Sequence, residues 1–129
     1  MGKFLKRGDF KQFVLGLSKK YQIIAPVKTD IIRFEKITAK NIDLIDFSAN
    51  SRVSPIRYFF PFNEEVVEFK NGKGIPKLEK VKQTIILGIR NCDANALRSL
   101  DKMLMSDYFR DPIYEQKRKN TILFIMRCD

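Results

Sequence analysis

Two short stretches place a cysteine between a basic and an acidic residue, each directly after an apolar run. The first is Arg90-Asn91-Cys92-Asp93 and the second is Arg127-Cys128-Asp129, and they hold the only two cysteines of the 129-residue chain. A cysteine thiolate is a nucleophile and a metal ligand, and a nearby arginine stabilises it. These residue types predict a small-molecule or redox site if the fold brings the two stretches together.

The composition excludes several other kinds of chemistry. The chain has no histidine, which excludes histidine-based acid–base catalysis, Ser-His and Cys-His nucleophile pairs and most zinc sites. Two cysteines cannot hold an iron–sulfur cluster, because a cluster takes four ligands. The sequence also lacks the glycine patterns of dinucleotide-binding folds and of P-loops.

The apolar runs before the cysteine stretches predict the elements that position them. Thr84 to Ile89 and Thr121 to Met126 are short and almost wholly apolar, which is typical of strands buried on both faces. Between them, the apolar spacing predicts a helix over 93–106 and a short helix over 113–119. Strand, helix and strand in this order indicate a right-handed βαβ unit with parallel strands.

Parallel strands end at the same edge of a sheet, so both cysteine stretches are expected there. Neighbouring strands lie ~4.8 Å apart, which predicts that Cys92 and Cys128 come within roughly 5–12 Å of each other. Ligands of open α/β sheets bind outside this edge, and free N–H groups at the helix start favour an anion or a thiolate. Asn91 or Asp93 is expected to cap that helix. Alternatively Asp93 is only a cap, Cys92 a small buried residue and Arg90 a salt-bridge partner.

The N-terminal half predicts a helix followed by a hairpin. Asp9 with Gln12 has the spacing of a capping box and begins an amphipathic helix over 9–20. Two strands, over 21–27 and 31–37, follow with a turn between them. The rest is predicted as loop or one short helix over 38–50, a short helix over 56–60, a strand over 65–70 and a turn-rich connector over 71–76. We therefore predict a single α+β (or α/β) domain over 1–129, whose mixed sheet joins an N-terminal antiparallel hairpin to the C-terminal βαβ unit.

Four aromatic residues in the middle of the chain form its densest aromatic cluster, and they are Tyr58, Phe59, Phe60 and Phe62. Such a cluster is most often part of a core. The functional alternative is a surface that docks against another domain or subunit.

The net charge of +10 admits an anionic partner, but its distribution is that of a solvated surface. Many cations stand at predicted helix ends, where they favour the helix dipole. No helix-turn-helix, RRM or zinc pattern accompanies them, so we do not expect nucleic acid as the partner, although a basic nucleic-acid-binding module stays an alternative. No apolar run reaches the ~20 residues of a membrane span and no signal peptide begins the chain, which predicts a cytoplasmic protein without a membrane partner.

A series of short motifs, taken in order, resembles a known family. The series runs Tyr21 to Lys28 (YQIIAPVK), Arg33-Phe34, Ser54-Pro55, Phe59-Phe60-Pro61, Gly88 to Asp93 (GIRNCD), Ala96-Leu97, Leu100-Asp101, Asp111 to Tyr114 (DPIY) and Asn120-Thr121. From about Leu17 onward, the chain resembles the N-terminal region of a family of iron–sulfur subunits. These are the 4Fe-4S subunits related to the β subunit of sulfhydrogenase (hydrogenase/sulfur reductase) and to the iron–sulfur subunit of anaerobic sulfite reductase. Asn91 stands where this family usually has proline.

The resemblance implies an accessory or docking domain, not catalytic by itself, of an electron-transfer subunit in an oxidoreductase complex. Members of the family hold two [4Fe–4S] clusters in a cysteine-rich part after such a region, and they pass electrons between flavoprotein and catalytic subunits. In the family a cysteine at about Cys128 opens that part, so Cys128 is a metal ligand only in a longer chain. The resemblance thus implies that residues 1–129 are the N-terminal fragment of a longer iron–sulfur protein and bind no cofactor alone.

Overall fold

The N-terminal helix forms where its apolar spacing predicts it, but it begins differently. A computed structural model describes residues 3–61, 63–78 and 80–127. Helix α1 spans Phe10–Ser18 and follows a 3-10 turn at Arg7–Asp9. The prediction of a capping box is wrong, because the Asp9 side chain accepts no hydrogen bond from the first turn of the helix. The 3-10 turn replaces the cap: the Phe10 N–H already donates to the carbonyl of Arg7.

Strands β1 (Gln22–Lys28) and β2 (Ile32–Lys36) form the predicted antiparallel hairpin, with Pro26 opposite Phe34. Pro26 lies in the interior strand of a sheet, although proline favours edges. This position is tolerated because β1 pairs on its other side only as far as Ile24. Beyond that residue no ladder hydrogen bond requires the N–H that proline lacks.

The connector predicted over 71–76 contains a strand instead. Strands β3 (Val67–Lys70) and β4 (Lys73–Pro76) pair as a separate two-stranded antiparallel hairpin. Asn71 and Gly72 both have positive φ, 52° and 74°, as a two-residue hairpin turn requires. The prediction is wrong because Asn-Gly is itself a hairpin turn, which implies a second strand after it. Both strands are exposed along their whole length.

The C-terminal half forms the predicted parallel unit. It contains β5 (Thr84–Arg90), α2 (Asn91–Leu104), α3 (Pro112–Lys119) and β6 (Thr121–Met126), and β5 and β6 are parallel. Strand β5 is buried on both faces as predicted. The same prediction is wrong for β6, whose residues are mostly exposed or half-buried, because β6 lies at the edge of the sheet.

The four longer strands make one mixed sheet in the order β2-β1-β5-β6, so the α+β prediction is confirmed. One face carries α1 over a core that includes Val14, Ala25 and Leu87. The other face carries α2 and α3 over a second core that includes Leu97 and Tyr114. The sheet is therefore covered on both faces near β1 and β5. None of the helices in the described ranges is long and apolar enough to cross a membrane.

Candidate functional site

The sheet reverses its direction of connection between β1 and β5. These two strands are parallel neighbours, but β1 leads to β2 on one side and β5 leads through α2 and α3 to β6 on the other. In open sheets of this kind, ligands bind outside the carboxyl ends of the two strands at such a point. A crevice of about 250 Å³ lies there. Its lining combines residues of β1, β2, β5, the first turn of α2 and the segment 47–54: Pro26, Phe34, Phe47, Ala49, Asn50, Ser51, Arg52, Ser54, Gly88, Arg90, Cys92 and Asp93.

The crevice exists because β1 and β5 separate near their carboxyl ends. Their pairing stops after Ile24 and Ile86, and a loop then takes the place of β5 beside β1. In this loop Ile45 bridges to Val27, and the Asp46 N–H donates to the Pro26 carbonyl at 2.9 Å. The pKa of the Asp46 carboxyl is lowered by hydrogen bonds from Ser48 and by Lys28. The loop is therefore fixed at both its backbone and its side chains.

Phe47 and Gly88 fix one wall of the crevice. Gly88 has φ of 78° and lies at a bulge in the pairing of β5 with β6. A Cβ atom on Gly88 would stand 2.4 Å from the ring of Phe47, so the ring occupies the space that a side chain would need. The Arg90 guanidinium donates to the Phe47 carbonyl at 2.8 Å. Both contacts hold Phe47 against the end of β5.

The predicted edge residues of the first stretch all lie where β5 becomes α2. Arg90 is the N-cap of α2, and Asn91, Cys92 and Asp93 occupy its first turn. The expectation that Asn91 or Asp93 caps the helix is wrong, because α2 begins two residues earlier than predicted. Asp93 instead accepts a hydrogen bond from the Ser54 hydroxyl at 2.7 Å. Three of the four, all except Asn91, line the crevice.

The alternative prediction, in which Cys92 is a small buried residue and Arg90 is a salt-bridge partner, is wrong for both residues. Cys92 is an exposed free thiol, so it is not a small buried residue. Arg90 bonds to a backbone carbonyl, and it has no ion pair with Asp93. Cys92 therefore lies exposed at the edge, whereas Arg90 and Asp93 each have a hydrogen-bond partner within the chain.

The second stretch is described only at its first residue. Arg127 is exposed and follows Met126, which is the partner of Arg90 in the β5–β6 register. The parallel register therefore brings Arg90 and Arg127 to the same edge. Cys128 and Asp129 lie outside the described residues, so the predicted approach of the two thiols stays a prediction.

Sequence reasoning missed the crevice residues that come from the segment 47–54. Ser54-Pro55 marks the start of a short element, and Ser54 indeed caps a 3-10 helix at Pro55–Tyr58. Nothing in the sequence, however, places Phe47, Ser51 or Arg52 beside β5. Their positions follow from long-range contacts such as the donation of the Arg52 N–H to the Ile32 carbonyl at 3.0 Å.

Two of the four aromatic residues proposed for docking, Tyr58 and Phe59, pack in the second core. Phe59 is 1% exposed, so its side chain is not available to a partner. Tyr58 is half-buried and its hydroxyl shares a hydrogen bond with Thr84 at 2.9 Å. Phe60 is 41% exposed and stacks on Tyr114. Phe62 lies outside the described residues. Of the described three, only Phe60 keeps the character of a surface contact.

A half-buried polar network supports the helical face of the sheet. The Tyr114 hydroxyl donates to Asp101 at 2.7 Å, and Arg118 pairs with the same carboxylate at 3.0 Å. Burial, followed by the hydrogen bond and negative charge of Asp101, raises the pKa of Tyr114 well above its ordinary value. This network joins α2 to α3 and has a structural role.

A larger cleft of about 500 Å³ lies at the opposite end of the sheet, and five lysines contribute to its lining: Lys36, Lys77, Lys80, Lys82 and Lys117. Lys77 is paired with Glu65 and Lys117 with Glu64, and the contact with Lys77 lowers the pKa of Glu65. The cleft thus carries its own counter-charges. These glutamates reduce the attraction of the cleft for a nucleic acid or another anionic polymer below what its five lysines suggest.

The described residues do not fit an iron–sulfur cluster or another metal site. No group of three or more histidine, cysteine, aspartate or glutamate side chains in the described ranges is arranged to hold a metal ion. Two cysteines in the whole chain are also too few for a cluster.

Comparison with known proteins supports a distant relationship to one subunit of a redox enzyme. The chain is 26% identical over 121 residues to the sulfhydrogenase 2 subunit beta of Pyrococcus furiosus. The alignment covers 92% of this chain and 35% of the relative, so the chain spans about a third of the length of that protein. No family model and no solved structure matches the chain.

Proposed function

We propose that this chain is an accessory domain of an electron-transfer subunit in a hydrogenase-type or sulfur-reducing redox complex. The observation that carries the proposal is the similarity to a sulfhydrogenase β subunit, which extends over 92% of the chain. The domain does not itself carry electrons. Any [4Fe–4S] clusters of the subunit need ligands from residues outside 1–129, because this chain has too few ligands for one by itself.

The open edge of the sheet supports a docking role. Ile122, Phe124 and Ile125 of β6 are 49%, 45% and 52% exposed, and β6 contains no charged residue and no proline. Among the described strands, none pairs with the outer side of β6. Exposed apolar edges of this kind join other strands, and proteins usually protect them with charges or a covering segment.

The other edge of the same sheet shows that protection. Strand β2 presents Arg33, Glu35 and Lys36, and its outer side bridges from Arg33 to Val53. The contrast between the two edges supports the inference that another polypeptide covers β6.

We assign that polypeptide to a partner subunit that adds a strand to β6 and carries net negative charge. The net charge of +10 on this chain favours such a partner, and it opposes the pairing of β6 with a second copy of equal charge. The exposed arginine at the end of β6, Arg127, adds a local cation for an acidic flank of the partner strand. We place the flavoprotein and catalytic subunits of the complex among the candidate partners.

Co-expression of the chain with the genes that flank its own tests the proposal. Affinity purification and mass spectrometry are expected to identify a stoichiometric complex with a flavoprotein or a hydrogenase-type subunit. If the reading frame continues beyond residue 129, the longer product is expected to be brown and to contain iron and sulfide. Neighbouring genes without any redox subunit would contradict the proposal.

A pair of variants locates the interface. Phe124→Lys places a charge on β6 and is expected to abolish co-purification, since it opposes both apolar contact and strand pairing. Phe69→Lys is the matched control, because Phe69 is also an exposed phenylalanine of a strand but lies in the separate β3–β4 hairpin. Equal co-purification of both variants would remove β6 from the interface. A homodimer in sedimentation that Phe124→Lys dissociates would assign β6 to self-association instead.

A further inference from the structure

We propose that the crevice at the carboxyl ends of β1 and β5 binds a small organic monoanion, a carboxylate with an apolar body. This inference goes beyond the proposed function, because it concerns a ligand of the isolated chain and needs no partner subunit. It rests on the position of the crevice in the sheet, its walls, its charge and its size.

The walls favour an apolar body in the ligand. Pro26, Phe34 and Phe47 line the crevice, and the Phe47 ring occupies the space beside Gly88 that a side chain would need. Phe47 is fixed by its contact with Gly88 and by the hydrogen bond from Arg90 to its carbonyl. A fixed aromatic wall costs little entropy when a ligand packs on it.

The charged groups favour a single negative charge. Arg90 and Arg52 line the crevice, and in the described part of the chain neither has a carboxylate within ion-pair distance. Arg90 uses one of its donors on the Phe47 carbonyl, which leaves the others for a ligand. Asp93 supplies one carboxylate to the same lining, so two guanidinium groups and one carboxylate leave one net positive charge.

This balance selects carboxylate over phosphate. A guanidinium group binds a carboxylate or a phosphate through two parallel hydrogen bonds, so the discrimination comes from the charge of the ligand. A phosphate dianion would gain from the arginines but would be repelled by Asp93, which is held in place by Ser54. The volume of about 250 Å³ lies below the ~300–1,000 Å³ of drug-sized sites, so the ligand is small.

Benzoate is a suitable probe because it has an aromatic body and one carboxylate. Titration of the isotope-labelled chain, followed by amide chemical shifts, is expected to show saturable changes at Phe47, Gly88 and Arg90. Benzamide, the neutral analogue of nearly the same shape, is expected to bind about tenfold more weakly, since it loses the charge-assisted bonds. Phosphate is expected not to compete.

Two arginine variants test the assignment of the anion. Arg52→Gln removes one cation and breaks no side-chain hydrogen bond or ion pair among the described residues, and about tenfold weaker benzoate binding is expected. Arg90→Lys keeps the charge but removes the forked geometry, and it is expected to weaken binding as well. Arg98→Gln, an exposed arginine of α2 that does not line the crevice, is the matched control and is expected to bind benzoate as the unaltered chain does.

The thiol of Cys92 supplies an independent readout in a Cys128→Ser background. Because Cys92 lines the crevice and is exposed, benzoate is expected to slow its reaction with a thiol reagent. The proposal is overturned if benzoate gives no saturable shifts, if benzamide binds as tightly, or if phosphate displaces it. Unchanged affinity in both Arg52→Gln and Arg90→Lys would also overturn it.

Discussion

Gly88 is the residue whose replacement tests the construction of the crevice most sharply. Its φ of 78° lies in the left-handed region, where a residue with a Cβ atom costs about 1–2 kcal/mol. The added Cβ would also stand 2.4 Å from the Phe47 ring, and overpacking of this kind costs about 1–3 kcal/mol. We therefore expect Gly88→Ala to lower the free energy of unfolding by about 2–5 kcal/mol, the sum of the two costs.

The chain contains matched glycines that separate the two costs. Gly72 has nearly the same φ, 74°, but nothing lies within 4 Å of an added Cβ, so Gly72→Ala is expected to show only the backbone cost of about 1–2 kcal/mol. Gly16 lies in α1 with no neighbour in the same range, and Gly16→Ala is expected to stabilise the protein by about 1 kcal/mol.

Urea denaturation of the three variants measures these differences through the transition midpoint. The double variant Phe47→Ala with Gly88→Ala completes a cycle, and it is expected to be less destabilised than the two single variants together because the clash is absent. If Gly88→Ala is no more destabilising than Gly72→Ala, Phe47 does not pack on β5 and the crevice wall is not as described.

Three further predictions concern the helical face of the sheet. Folding raises the pKa of Tyr114, so the stability that this residue contributes is complete below its ordinary pKa of 10.0 and is lost as pH rises through the raised pKa. Tyr114→Phe is therefore expected to reduce the loss of stability at alkaline pH, as measured by urea denaturation over a pH series. An unchanged alkaline slope would contradict this. Asp111 accepts from the N–H groups of Ile113 and Tyr114, so Asp111→Ala is expected to cost about 0.5–2 kcal/mol in urea denaturation, whereas no loss would show that α3 needs no cap. Leu97 is fully buried in the second core, so Leu97→Ala is expected to lower the free energy of unfolding by about 2–5 kcal/mol. A change near zero would show that Leu97 does not pack in this core.

The central elements of the fold could be predicted because their sequence patterns are strong. The apolar runs of β5 and β6 and the helical spacing between them predict a parallel unit, and the structure has that unit. The exposure of β6 could not be predicted, since an apolar run does not reveal whether another strand lies beside it. The second strand of the β3–β4 hairpin could have been predicted, because Asn71-Gly72 is a typical hairpin turn. It was missed because the turn-rich composition of 71–76 favours a connector.

The candidate site could be predicted only in the half that follows β5. Arg90, Cys92 and Asp93 are adjacent in sequence to an apolar strand, so their place at the carboxyl edge follows from topology. The other half comes from the segment 47–54, which reaches the crevice through contacts with β2 and β5 that no local pattern encodes. The predicted start of α2 is two residues late because Asn91 and Asp93 are good capping residues that the helix does not use as caps.

The docking of β6 against a partner subunit is the claim on which the functional account depends. Amide hydrogen exchange of the co-expressed complex, compared with the chain alone, measures it directly. Exchange at residues 121–126 is expected to slow in the complex as the outer N–H groups of β6 enter a strand ladder, while exchange in the β3–β4 hairpin stays the same. Unchanged exchange along β6 in a stable complex would contradict the account.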